Sequence, residues 1–237
     1  MCADMAVIDA INSAEGASAA EGSYSAEGSY AAEGSHLAEG SASLVLASAS
    51  LRRRELLDQI GVAYRVLVHD TDEAMRPAET PEAYVSRLAR QKAASVNALP
   101  EIFGGWPVLG ADTVVVCGNQ VLGKPRSEMD ASRMLALLSG RRHDVLTAVC
   151  VMQGKRAESV MVRTKVWFRV LSAEEIAAYW RHGEPEGKAG AYAVQGVGAL
   201  FVERIEGSYS TVVGLPIFET ARLLAGFSIK CALDTSA

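Results

Sequence analysis

Residues 44–56 read LVLASASLRRREL, a pattern that predicts a buried strand followed by a tight turn and a helix. We expect the strand over Leu44–Ala47 and the helix over Arg52–Ile60, where Gly61 ends it. Free N–H groups and the positive end of such a helix favour an anion, and the arginines that open this helix add donors suited to phosphate oxygens. A capped helix with a solvated arginine face would produce the same pattern.

After this turn, short apolar runs continue to alternate with helical patterns, as in α/β domains. Thr80 before Pro81 and the Ser172–Glu175 capping box mark helix starts. The predicted elements are strands at 64–68, 108–116, 121–122, 143–152, 158–168 and 199–205, and helices at 81–97, 127–138, 173–181 and after residue 216. We therefore predict one α/β domain over residues 44–228, with a mixed twisted sheet flanked by helices. The order of the strands does not follow from the pattern.

The chain before this domain has a different composition. Residues 14–43 repeat Ala-Glu-Gly with a period of six, and each unit is too short and too polar to bury an apolar face. We predict that residues 1–43 form a low-complexity disordered tail and that residues 229–237 form a C-terminal tail. A tether or a docking peptide is the alternative interpretation of the repeat.

The charge distribution argues against several classes of partner. The 237 residues include 23 Lys and Arg and 28 Asp and Glu, but seven of the acids lie before residue 44, where there is no Lys or Arg. The remainder is nearly neutral, which argues against a nucleic-acid-binding protein. No run of 18 apolar residues occurs, so we expect no membrane segment. The first residues lack a secretory signal, and we expect a cytoplasmic protein.

Two acidic segments are candidates for chemistry. Asp112 lies inside the otherwise apolar run 108–116, where an unpaired carboxylate would be costly. This favours a metal ligand or a general base over a carboxylate that caps a neighbouring turn. Residues 69–73, HDTDE, cluster acids after a predicted strand, which indicates either a divalent-metal site or a solvated acidic loop.

Two glycine-containing segments could contact a nucleotide. Residues 118–125 follow the phosphate-loop pattern until Pro125, which replaces the hydroxyl residue that binds Mg²⁺. Lys124 remains a candidate contact to phosphate. Residues 188–196, KAGAYAVQG, form a loop of small residues in which Gln195 can donate and accept hydrogen bonds together, as the edge of a base requires.

Eight segments, in this order, resemble the Maf family of nucleotide pyrophosphatases: LASASLRRREL, HDTDE, LARQKA, GADTVV, LGKP, LSG, KAGAYAVQG and GSYSTVVGLP. The resemblance covers nearly all of residues 44–227. It implies a fold related to that of the inosine triphosphate pyrophosphatases. It also implies a cytoplasmic enzyme that cleaves nucleoside triphosphates to the monophosphate and pyrophosphate with a divalent cation, Mg²⁺ or Mn²⁺. One departure is Leu51, where the family usually has proline before the arginine pair.

The resemblance implies roles for individual residues. Asp112 matches the family's catalytic base and, together with Glu73, its metal site. The positions that contact phosphate are occupied by Ser48, Arg53, Lys92 and Lys124. The positions that separate the subfamilies are occupied by Arg52, Thr113 and Gln195, the combination found in members that resemble dTTP/UTP pyrophosphatases.

The activity expected from these positions is hydrolysis of dTTP and UTP, with modified pyrimidine nucleotides as further candidate substrates. One alternative is a regulator of cell division that binds a nucleotide without consuming it. Another is a pyrophosphatase for purine or 7-methylated nucleotides. The complete catalytic set speaks against the first, and the three subfamily positions speak against the second. The sequence leaves open which pyrimidine is preferred and whether the chain forms a homodimer.

Overall fold

The computed structural model describes residues 43–102 and 105–234. The strands are β1 (Leu44–Leu46), β2 (Tyr64–Val66), β3 (Val108–Cys117), β4 (Gln120–Leu122), β5 (Arg142–Gln153), β6 (Arg156–Phe168) and β7 (Val202–Glu206). The helices are α1 (Leu51–Gln59), α2 (Pro81–Asn97), α3 (Glu128–Leu138), α4 (Ala173–Arg181), α5 (Tyr209–Val213) and α6 (Ile217–Gly226). The predicted tail at residues 1–43 lies outside the described residues, except for Ser43. The predicted α/β class is confirmed.

The strands form one mixed sheet, as predicted, in the order β2-β1-β3-β5-β6-β7. β1 runs parallel to β2 and β3, and the other neighbouring pairs are antiparallel. β4 turns back from the end of β3 and pairs with residues 115–117. The pairing of β1 with β3 extends from Val108 to Leu109. The carboxyl end of β1 therefore lies beside the first residues of β3, and β3 continues past it to Asp112.

Helices cover both faces of the sheet. On one face, α2 buries Val85, Ala89, Ala93 and Val96 against alternate residues of β3 and β5. The buried residues of α1, α3, α4 and α6 belong to the core on the other face. The sheet is thus the middle layer of three. None of the described helices has the length and the apolar composition needed to span a bilayer.

The contact between α2 and β3 depends on a glycine. A Cβ atom at Gly110 would lie 2.4 Å from the carbonyl oxygen of Ala89 and 2.5 Å from the amide nitrogen of Ala93. Any other residue at this position would push the helix away from the strand. Gly110 therefore keeps α2 close enough to β3 for a side chain of the helix to reach the neighbouring Asp112.

The predicted starts of α2, α3 and α4 are confirmed to within one residue, because side-chain caps define them. Thr80, Ser127 and Ser172 each accept an N–H of the first helical turn. The predicted strand at 199–205 is wrong in its first part, since residues 197–201 form a 3₁₀ turn and β7 begins at Val202. The carboxylate of Glu184 accepts the N–H groups of residues 197 and 198 and so fixes the start of this turn.

The described part of the C-terminal segment packs on the domain. Ile229 is buried in the core, and the N–H of Ala232 donates to the carbonyl oxygen of Ile60 at the end of α1. Gly61 has a φ of +69°, which suits glycine and directs the chain from α1 toward β2. The domain boundary at residue 228 stays a prediction.

Candidate active site

The candidate site lies where β1 ends and α1 begins. Ser48 follows β1, and Arg52 and Arg53 lie in the first turn of α1. Ser50 precedes the helix in an extended conformation without a side-chain capping bond. Leu51 begins the helix in place of the proline usual in the Maf family, so the departure leaves the helix start intact. Ligands commonly bind at the carboxyl ends of parallel strands, and the free N–H groups of α1 lie at this edge.

Arg53 is fixed by three hydrogen bonds to different segments. Its guanidinium donates from Nη1 to Oγ of Ser48 at 2.9 Å, from Nε to the carbonyl oxygen of Gly214 at 3.0 Å, and from Nη2 to Oγ1 of Thr113 at 3.3 Å. Burial lowers the pKa of Arg53, and the charge of Asp112 acts in the opposite direction. Since a guanidinium stays protonated in proteins, the site contains a fixed positive charge.

Thr113 continues this network below Arg53. Its Oγ1 lies 2.9 Å from Oγ1 of Thr147, and Thr147 donates to the carbonyl oxygen of Thr211 at 2.8 Å. The only hydroxyl proton of Thr147 is used in that bond, so Thr113 is the donor to Thr147. Its own oxygen accepts from Arg53. Thr113 therefore orients Arg53 from the floor of the site.

Lys92 joins two carboxylates that are far apart in sequence. Its Nζ lies 2.7 Å from Oδ1 of Asp112 on β3 and 2.6 Å from Oε1 of Glu73. The side chains of Lys92 and Asp112 are 15% and 11% exposed, whereas that of Glu73 is 47% exposed. Burial acts to raise the pKa of Glu73, but the hydrogen bond and charge of Lys92, with the charges of Lys124 and Arg53, outweigh it and lower that pKa. The predicted candidates Glu73, Lys92 and Asp112 thus meet in one ion cluster.

The loop that contains Glu73 is held against α2 by residues that the sequence analysis did not identify. Tyr84 donates to the carbonyl oxygen of Glu73 at 2.8 Å, and Arg87 donates from Nη2 to that of Ala74 at 2.9 Å. Arg87 also donates from Nε and Nη2 to Glu79, and these bonds lower the pKa of Glu79 to about 2. Tyr84 and Arg87 are three residues apart on a helix, a spacing that could have indicated a shared face.

Lys124 lies at the open side of the ion cluster. It is exposed in the loop between β4 and α3, and its charge acts on Glu73. The carbonyl oxygen of the preceding Gly123 accepts the N–H of Gly190 at 3.0 Å, which ties this loop to the 188–196 segment. Lys124 is therefore placed where a ligand bound at the cluster would meet a further positive charge.

Gln195 and Arg52 lie on another side of α1. Gln195 is exposed and donates from Nε2 to Oε2 of Glu55 at 3.2 Å. Burial lowers the pKa of Arg52, while the charge of Glu55 acts to raise it. Arg52, Glu55 and Gln195 therefore form a second polar group at the rim of the site, and Glu55 was not among the predicted residues.

Glu184 fixes the backbone beside Gln195 and was also missed. Its carboxylate accepts the hydroxyl of Tyr179 at 2.7 Å and the N–H groups of Val197 at 2.9 Å and Gly198 at 3.0 Å. The oxygen of Tyr179 in turn accepts the N–H of Ala193 at 3.1 Å. These bonds hold the chain on both sides of residue 195. Residue types alone did not reveal them, because the partners come from separate elements.

The residues of the ion cluster could hold a divalent cation. Glu73 and Asp112 direct one oxygen each at the same ammonium group, and carboxylate oxygens are the donors that Mg²⁺ and Mn²⁺ prefer. Within residues 43–102 and 105–234, no group of three or more His, Cys, Asp or Glu side chains could hold a metal. Magnesium is often bound by one or two carboxylates and completed by substrate phosphates, so two carboxylates fit this mode.

Known proteins share most of this chain. Residues 43–227 match the family described as Maf-like protein. A dTTP/UTP pyrophosphatase of Pseudoalteromonas atlantica is 54% identical over 187 residues, which cover 78% of this chain and 97% of that protein. Proteins named dTTP/UTP pyrophosphatase in Vibrio vulnificus and Photobacterium profundum are 52% and 48% identical, over 78% and 79% of this chain and 98% and 97% of their own lengths. The predicted family is confirmed, and the chain belongs to the Maf-like proteins.

Proposed function

We propose that this protein hydrolyses dTTP and UTP to the nucleoside monophosphate and pyrophosphate. The observation that carries the proposal is the position of Asp112, a carboxylate 2.7 Å from the Lys92 ammonium and within the electrostatic influence of Arg53. Cations gathered around a carboxylate suit a triphosphate that is attacked by water. The relatives, named dTTP/UTP pyrophosphatases and 48–54% identical, support the substrate class.

The triphosphate binds at the N-terminal end of α1. Arg53 and Lys124 neutralise its charge, and Lys92 contributes from α2. The hydroxyl of Ser48 accepts hydrogen bonds from Arg53 and from the N–H of Ser50, so its proton is free to bind a phosphate oxygen. Because Arg53 is already fixed by three partners, binding the phosphates costs it little side-chain entropy.

Asp112 acts as the general base. The oxygen of a water molecule attacks the α-phosphorus, the bond from that phosphorus to the bridging oxygen breaks, and its electron pair leaves with pyrophosphate. The water proton passes to Asp112. Since Lys92 already binds Oδ1, we assign the proton to Oδ2. Arg53 and Lys124 stabilise the charge that develops on the leaving group.

Glu73 and Oδ1 of Asp112 would hold a divalent cation, Mg²⁺ or Mn²⁺, because a carboxylate oxygen has more than one lone pair and Oδ1 can bind the cation as well as Lys92. Oδ2 then stays available for the proton. When bound, the cation would neutralise charge on the phosphate oxygens and make the phosphorus more electrophilic. Glu73 is suited to this role because its carboxylate is half-exposed on a loop that Tyr84 and Arg87 anchor through the backbone.

Gln195 and Arg52 face the base, and Thr113 contributes through Arg53. The exposed amide of Gln195 reads the hydrogen-bonding edge of a pyrimidine, and Arg52 closes the adjacent rim. Thr113 affects the choice of substrate indirectly, because its hydroxyl orients Arg53. We also propose that the substrates are free nucleotides in the cytoplasm and not nucleic acid, in keeping with the nearly neutral charge outside residues 1–43.

The test is pyrophosphate release by the purified full chain with Mg²⁺ or Mn²⁺, across dTTP, UTP, CTP, GTP, ITP and 7-methyl-GTP. We expect the highest kcat/KM for dTTP and UTP and loss of turnover when EDTA removes the cation. Tight binding of dTTP without turnover would favour a non-catalytic regulator instead. Preference for a purine nucleotide would refute the assignment of Gln195.

A further inference from the structure

Glu55 contacts the residue to which we assign base recognition. Its Oε2 accepts a hydrogen bond from Nε2 of Gln195 at 3.2 Å, although the two residues are 140 positions apart in the chain. Glu55 lies on α1, two residues after Arg53, and its charge also acts on Arg52. The carboxylate thus acts on the helix through its charge and contacts the 188–196 loop through a hydrogen bond.

An ionised carboxylate fixes the orientation of an amide. The side-chain amide of Gln195 has a donor, Nε2, and an acceptor, Oε1, of nearly equal size, so a half-turn exchanges them at little steric cost. Glu55 can only accept hydrogen bonds when it is ionised. It attracts the Nε2 group and repels the carbonyl oxygen, and the reversed orientation of the amide is therefore disfavoured.

The backbone beside Gln195 cannot shift to compensate. Val197 and Gly198 donate their N–H groups to Glu184, and Ala193 donates to Tyr179. A Cβ at Gly196 would lie 2.3 Å from Glu184, so this turn packs directly on the carboxylate. The orientation of the Gln195 amide is consequently set by its own side-chain contact with Glu55.

The fixed amide distinguishes uracil and thymine from cytosine. When one N–H of the Gln195 amide donates to Glu55, its carbonyl oxygen and its second N–H remain available to bind the base. Uracil and thymine present an N3–H donor beside a carbonyl acceptor, which matches this pair. Cytosine presents an N3 acceptor beside an amino donor, which matches the reversed amide. We infer that Glu55 is a positioning residue that sets the Gln195 amide to favour uracil and thymine over cytosine, an inference that rests on the proposed function.

The test compares kcat/KM for UTP and CTP in the full-length wild-type protein and in Glu55→Gln. Glutamine can donate or accept, so it tolerates both orientations of Gln195. We expect the UTP to CTP ratio to fall by about tenfold, the discrimination that a single charge-assisted hydrogen bond provides, mainly through faster CTP hydrolysis. The matched control is Glu101→Gln, which also removes one negative charge. Glu101 follows the C-terminal end of α2, where Asn97 contacts Gly154. This control is expected to retain the wild-type ratio.

Dissociation constants for UTP and CTP, measured by calorimetry without a divalent cation, separate this inference from the proposed function. An enzyme without turnover on any nucleotide would refute the proposed function, whereas the ratio of the two dissociation constants would still test Glu55. An unchanged ratio in Glu55→Gln, or an equal loss for UTP and CTP, would overturn the inference. A wild-type protein that treats UTP and CTP alike would overturn it as well.

Discussion

Arg53 and Arg52 are neighbours in the sequence but belong to differently built sides of the site. Arg53 belongs to what we call the phosphate side, with Ser48, Glu73, Lys92 and Asp112, where each charged group has a partner in the described structure. Arg52 belongs to the base side, with Glu55 and Gln195, where one exposed hydrogen bond joins two elements. One helix start thus supplies cations to both sides.

The difference separates turnover from selectivity. The phosphate side is partly buried, and its charges come from α1, α2, β3 and the loop that contains Glu73, so the loss of one group disturbs the others. The base side is exposed, and the loss of one hydrogen bond there leaves the phosphate contacts in place. We therefore expect substitutions on the phosphate side to reduce hydrolysis of every nucleotide and those on the base side to alter the preference among them.

The largest effect is expected for Asp112→Asn. Asparagine keeps an oxygen for Lys92, so the fold is retained, but it cannot take up the proton of the attacking water. We expect kcat to fall by about 10² to 10⁴, the range for loss of a general base, to a similar extent for dTTP and UTP. Pyrophosphate release under saturating nucleotide measures this loss.

Asp144→Asn is the matched control for that substitution. Asp144 is another largely buried aspartate of the same sheet, paired with Arg163 on β5 and β6. We expect it to keep near wild-type turnover, since it lies outside the ion cluster. Full activity of Asp112→Asn would exclude Asp112 as the base, and an equal loss in Asp144→Asn would attribute the effect to the fold.

A smaller effect is expected for a histidine buried behind the base side. It concerns the stability of the fold and not turnover. His143 is buried among aromatic rings, and its Nε2 lies 2.9 Å from the hydroxyl of Tyr192 in the 188–196 loop. Burial lowers the pKa of His143 from 6.5 to about 4. As the pH falls below 6.5, this histidine binds a proton in the unfolded chain but stays neutral in the folded protein, so the free energy of unfolding decreases. This amounts to about 2 kcal/mol at pH 5.

His143→Gln removes this titration and keeps a polar group for Tyr192. Urea unfolding at pH 7.5 and at pH 5 gives the free energy of unfolding at each pH. Between pH 7.5 and pH 5 we expect this free energy to decrease by about 2 kcal/mol less in the variant than in the wild type. Any effect of the substitution on the free energy of unfolding that is the same at both pH values cancels in this comparison. The same decrease in both proteins would show that His143 does not titrate on unfolding.

The sequence predicted elements that are defined locally and missed contacts made over long distances. The starts of α2, α3 and α4 follow from Thr80, Ser127 and Ser172, because each cap binds an N–H within three residues of itself. Residues 199–201 were misassigned as strand; they continue a 3₁₀ turn whose first two N–H groups bind Glu184, which lies 13 residues before Val197. A strand pattern cannot reveal such a partner.

The same distinction applies to the site. The resemblance identified the charged residues that the structure brings together, Arg53, Glu73, Lys92 and Asp112, and the hydroxyl residue Ser48 that contacts Arg53. It did not identify Arg87, Glu55 or Glu184, which act on the backbone or side chains of those candidates through tertiary contacts. Gln195 was selected for its amide, but the orientation of that amide depends on Glu55, which is adjacent only in the folded chain.

The central claim is that the phosphate side directs water to the α-phosphorus. The most direct test is hydrolysis of dTTP by the full chain in H₂¹⁸O, followed by mass spectrometry of both products. We predict that one ¹⁸O atom appears in dTMP and none in pyrophosphate, because the oxygen that attacks the α-phosphorus stays with the nucleoside monophosphate. Label in pyrophosphate and not in dTMP would mean attack at the β-phosphorus and would contradict the account.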